Sequence, residues 1–134
     1  MTTDLGHLDL FCRVNVHSEM PHGEFVSFLA RSVGGVNRMN SITTNLLDIS
    51  VDDNDGFDAA KSSTGQNRWL YFRYTLEIDP IANVAPGDYL AAIGTLVKLL
   101  WSSGMDAVAA CEFEEQLPQN VRRFSWTRPD AEAV

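Results

Sequence analysis

Three groups of residues in this 134-residue chain have the types that do chemistry. The densest is acidic: Asp48, Asp52, Asp53, Asp55 and Asp58 place five carboxylates within eleven residues, with no base among them. Such a run makes a negative field that steers a cationic partner. Its Asn54-Asp55-Gly56 end invites a calcium-loop reading. Setting Gly56 at the sixth position of an EF-hand puts Val51 first and Ser62 twelfth, where carboxylates are required, so the motif fails and a solvated turn is the plainer reading. The second group is His17 and His22 with Glu19 and Glu24, acid–base and metal-ligating types at no zinc-site spacing. The third is Cys12 and Cys111, the only cysteines, which read as two buried thiols and not as a disulfide framework. No serine sits in a G-x-S-x-G elbow and no glycine-rich phosphate loop follows a strand. No catalytic residue, metal or cofactor is assigned.

Periodicity supplies the elements that position these groups. Leu8, Leu10, Cys12, Val14 and Val16 alternate with Asp9, Phe11, Arg13 and Asn15, which predicts a strand with one buried face. Pro21 opens a helix carrying Phe25, Phe28, Leu29 and Val33, closed by Gly34-Gly35. Ser41 to Val51 reads as a second strand running into the acidic loop, and Trp69 to Ile78 as a third, with Trp69, Tyr71, Arg73, Thr75 and Glu77 facing away from the core. Pro86 at a first helical position opens a second helix through Leu100. Ala107 to Phe113 is the last strand.

The order strand, helix, strand, strand, helix, strand predicts an α+β, ferredoxin-like βαββαβ sandwich: a four-stranded antiparallel sheet with two helices on one face. Residues 1–118 form this single domain, and 119–134 form a C-terminal tail that packs on it or is partly disordered. The first and fourth strands are then antiparallel neighbours, with Cys12 and Cys111 close together on the buried face. The helix-free face brings together Phe11, Arg13, Trp69, Tyr71, Arg73, Glu112 and Glu114. Aromatic side chains there need a cover: a partner protein, a second copy of the chain, a flat ligand, or the tail with Phe124 and Trp126. Arg13 and Arg73 stand opposite Glu112 and Glu114, as cross-strand ion pairs or as recognition charges.

Composition narrows the partner. With 45% hydrophobic and 21% charged residues the chain has the make-up of a globular domain, long enough to bury about two-thirds of its unfolded surface. The net charge of -8 opposes polyanions. An RNA-recognition fold shares the expected topology, but Trp69-Leu70-Tyr71-Phe72-Arg73-Tyr74 lacks its third-strand motif, so nucleic acid is excluded. No apolar run spans a bilayer and no secretory signal opens the chain, so the expectation is a cytoplasmic protein with no membrane partner. The acidity is local: residues 1–118 sum to -9 and the last sixteen to +1.

Two stretches, Trp69 to Pro80 and Asp106 to Pro118 (D-A-V-A-A-C-E-F-E-E-Q-L-P), resemble phrases of small, largely uncharacterised single-domain bacterial proteins. Some of these resemble immunity proteins of toxin systems. The resemblance implies a non-enzymatic, acidic, cytoplasmic protein that neutralises a basic toxin by occluding its active surface. Two surfaces then qualify: the open sheet face, and the acidic loop at Asp52, Asp53, Asp55 and Asp58. The alternative is a homodimer through the sheet face that encloses a small-molecule pocket, with or without cofactor-free enzyme activity. A fragment of a larger complex is a third reading.

Overall fold

Apolar residues at every second position build the centre of one sheet. The computed structural model describes residues 10–63, 68–113 and 117. Its elements are β1 (Cys12–His17), α1 (His22–Val33), β2 (Val36–Arg38), β3 (Ser41–Thr43), β4 (Leu47–Asp53), β5 (Tyr74–Pro80), α2 (Pro86–Ser102) and β6 (Asp106–Cys111). Short 3-10 turns lie at Lys61–Ser63 and Arg68–Tyr71. The protein is α+β, with a sheet in the order β2-β3-β4-β5-β1-β6 whose neighbouring strands are all antiparallel.

Six strands therefore replace the four expected of a ferredoxin-like sheet. The stretch Ser41 to Val51 is two strands, not one. The Thr44 hydroxyl accepts hydrogen bonds from the Leu46 and Leu47 N–H groups at 3.1 and 2.9 Å, and this turns the chain back on itself. β2 adds a second hairpin to the same edge. The left-handed Gly34 ends α1, and the Gly35 N–H reaches Ala30 O at 2.9 Å. A Cβ on Gly35 would lie 2.7 Å from Ile42 Cγ2, so only glycine lets the chain pass this close to β3.

The third strand also begins later than its alternation implies. Arg68–Tyr71 is a 3-10 turn, and β5 starts at Tyr74. The carbonyls of this segment are taken by side-chain amides. Asn15 Nδ2 donates to Trp69 O at 3.1 Å, and Asn54 Nδ2 donates to Leu70 O and Phe72 O at 3.0 and 2.6 Å. Those bonds hold the segment over the sheet and keep it out of the ladder.

Both helices pack on one face. Phe25, Val26 and Leu29 of α1 and Ile93, Leu96, Val97 and Leu100 of α2 join a single buried cluster with Cys12, Val14, Val16, Ile49, Val51, Leu76, Ile78, Ala107 and Ala109. Phe25 stacks on Tyr74 with ring centroids 4.5 Å apart. The buried polar ends find partners: the Tyr89 hydroxyl lies 2.6 Å from Leu10 O, and Trp101 Nε1 donates to Ala107 O at 3.0 Å. Among the described residues, no helix is long and apolar enough to cross a membrane.

Candidate functional site

The helix-free face is not uniform. Its β1–β6 half is dry at the Asn15–Val108 end: Val108 and Phe72 are fully buried and pack with Trp69 and Ala110, while Asn15 beneath them is only 5% exposed. Trp69 is thus the cover for this face and not a residue awaiting one. That corrects the expectation that Trp69 and Tyr71 share the open face as strand residues. Tyr71 lies in the 3-10 turn with the Lys61 ammonium 5.1 Å from its ring centroid.

An ion pair clamps the covering segment to the sheet. Arg68 donates to Asp106 Oδ2 at 3.0 Å and to Ser62 O at 3.2 Å, and both side chains of the pair are largely buried. Arg73 donates to Glu19 O at 3.1 Å and stacks over the Tyr74 ring. His17 pairs in register with Asp106 and lies between the rings of Phe57 and Phe72, with centroids 5.9 and 5.7 Å away. Burial lowers its pKa against the opposing pull of Asp106, so the neutral imidazole is favoured. His17, Phe57, Arg68, Arg73 and Asp106 line a cavity of about 420 Å³ together with Glu19 and Ser62. Both of its guanidinium groups already bind acceptors of the chain itself, which makes the cluster a clamp first.

The β4–β5 half of the same face is wet and negative. Leu47, Ile49 and Val51 point into the core, so Asp48, Ser50 and Asp52 point away from it, and all three are exposed. In register they meet Asp79, Glu77 and Thr75. Asp48 stands directly opposite Asp79, a like-charge pair that weakens a sheet. Arg13 approaches Glu77 at 3.5 Å with both side chains about half exposed, a pair of small worth. Among the described residues its ion-pair partner is Glu77 of β5. The strand residues of this half present four carboxylates, Asp48, Asp52, Glu77 and Asp79, against the one guanidinium of Arg13 on the neighbouring β1.

No family model, curated protein or solved structure matches the chain.

The acidic loop does not act as one group. Asp52 belongs to the open face, whereas Asp53 lies on the helix side, 2.9 Å from His22 Nδ1. His22 Nε2 faces Asn40 Oδ1, also at 2.9 Å. With an oxygen acceptor at each ring nitrogen, the protonated imidazole is favoured, and the hydrogen bond to Asp53 raises the His22 pKa. Asp58 caps the turn that follows it, accepting from the Ala60 and Lys61 N–H groups at 2.9 Å each. Asp55 is exposed. Among the described residues, no group of His, Cys, Asp and Glu has the arrangement of a metal site.

Of the remaining expected site residues, Phe11 is half-buried beside β1 and Glu112 is exposed just beyond β6. Glu114 and the tail 119–134 lie outside the described residues. Glu77 and Asp79 are not among the residues expected to share the open face or the acidic loop. The alternation of β5 already set Glu77 on the helix-free face. What it lacked was the register against β4, which brings Asp79 to Asp48.

Proposed function

We propose that the protein is a non-enzymatic binding domain that engages a basic protein through the β4–β5 half of its helix-free face. The observation that supports this most is the opposition of Asp48 and Asp79 on an exposed surface. Like charges set directly across a sheet work against folding, and an incoming Lys or Arg side chain relieves them. The surface is also bordered by the segment of Trp69 and Phe72, which gives a partner an edge to register against. Residues 69–80 and 106–118 resemble phrases of small single-domain bacterial proteins, some of which resemble immunity proteins, and this gives the reading its specific form, neutralisation of a basic toxin.

A capture experiment with wild-type protein and Asp48→Lys/Asp79→Lys tests it. The wild type should retain a basic protein at low salt, release it as ionic strength rises, and lose it on charge reversal. Retention of the same protein by both forms, or release that ignores salt, overturns the reading. The cavity beside Arg68 and Arg73 favours a second one, a small-molecule site closed by a second copy of the chain. That reading requires a dimer by sedimentation, and a monomer counts against it.

A further inference from the structure

The two cysteines are cross-strand partners. Cys12 of β1 and Cys111 of β6 pair in the antiparallel register. Directly opposed residues of an antiparallel ladder have Cα atoms about 4.5–5.5 Å apart, inside the roughly 4.4–6.8 Å range that a disulfide spans. Both side chains lie on the helix-packed face: Cys12 belongs to the core cluster and Cys111 packs against it. Both are reduced. Their accessibility differs sharply, since Cys12 is 0% exposed while Cys111, the last residue of β6, is partly open.

We propose that Cys12 and Cys111 form a thiol–disulfide exchange site, oxidised by a low-molecular-weight disulfide to a cross-strand bond that staples β6 to β1. The Cys111 thiol gives its proton to solvent, and its thiolate attacks one sulfur of the small disulfide. A mixed disulfide forms and the first small thiolate leaves, taking up a proton. The Cys12 thiol then gives up its proton and attacks Cys111 Sγ, the protein disulfide forms, and the second small thiolate leaves and is protonated. Two protein thiols are oxidised and one small disulfide is reduced to two thiols. The order follows from exposure, because only Cys111 can be reached from outside. The staple closes about 100 residues of chain, among the larger loops a disulfide can constrain. It fixes the end of the edge strand from which Glu112 leaves the sheet. This inference stands apart from the partner reading.

The full chain, reduced and then exposed to glutathione disulfide, is followed by intact mass, thiol titration and thermal melting. The expected product is a monomer lighter by two hydrogens, with no titratable thiol and a Tm higher by about 10 °C. Cys12→Ser should stop at a mixed disulfide on Cys111. Cys111→Ser should react at least tenfold more slowly than wild type. A wild-type product that stops at the mixed disulfide, or that joins two chains, overturns the proposal. The wild-type mass decides the matter even if a variant folds poorly.

Discussion

Between β1 and β6, the helix-free face carries Asn15 and Val108 beneath Trp69 and Phe72, and there it is dry. Between β4 and β5 the same face carries Asp48, Asp52, Glu77 and Asp79, and it is largely exposed. One sheet surface is thus treated in two ways. The dry half uses small residues on the edge strand, which let a bulky segment of the chain lie across them. The wet half uses carboxylates, which no apolar segment can cover without a large desolvation cost. The difference sets a packed region beside a charged one on a single surface.

The largest break in this contrast comes from the helix side, where all alternate positions converge. Phe25→Ala removes the ring stacked on Tyr74 and should cost about 3–5 kcal/mol, measured by urea denaturation. Arg68→Ala is the next largest, at about 3 kcal/mol, because it removes the cation paired with the largely buried Asp106 carboxylate. It should also raise hydrogen exchange in β1 and β6 while leaving β4 unchanged, and equal loosening of both halves would contradict a clamp. Asp79→Lys should do the reverse. Stability stays level or rises by about 0.5 kcal/mol on relief of the Asp48 pair, while affinity for a basic partner falls at least tenfold.

The smallest effects are those of pH. His22 has a raised pKa through its bond to Asp53, so its contribution is fully present below the unfolded value near 6.5 and is lost as pH rises through the folded value. His17 has a lowered pKa through burial. As pH falls below about 6.5, the unfolded chain gains a proton there that the folded chain resists, and stability falls. The two histidines oppose each other over the same window. His22→Gln should therefore make the protein less stable on acidification than wild type, by about 0.5 kcal/mol given the exposure of the pair. His17→Phe should do the opposite. Melting curves at pH values on either side of 6.5 check both.

Much of the core was legible because burial on one side of a strand imposes a period of two. Cys12, Val14 and Val16, like Tyr74, Leu76 and Ile78, face the core as their spacing implies. Pro86 opens α2 as expected. The extra hairpin was not legible. β2 is three exposed residues with no alternation, and its turn holds Met39 at a positive φ where glycine or asparagine would have marked it. The turn at Trp69 was hidden for another reason: Trp69, Tyr71 and Arg73 alternate with Leu70, Phe72 and Tyr74 in a strand-like way. The bonds from Asn15 and Asn54 that bend this segment come from residues 54 and 16–18 positions away. The candidate surface was half legible. The acid run located β4's carboxylates, but only the register joins them to β5.

The most direct test of the wet half as a recognition surface is an amide chemical-shift titration of the isotope-labelled protein with a short lysine-rich peptide at low salt. Shifts confined to Asp48, Ser50, Asp52, Thr75, Glu77 and Asp79, and abolished by added salt, are the result expected. Shifts centred on His17, Arg68 and Arg73, or none on the sheet at all, would contradict it.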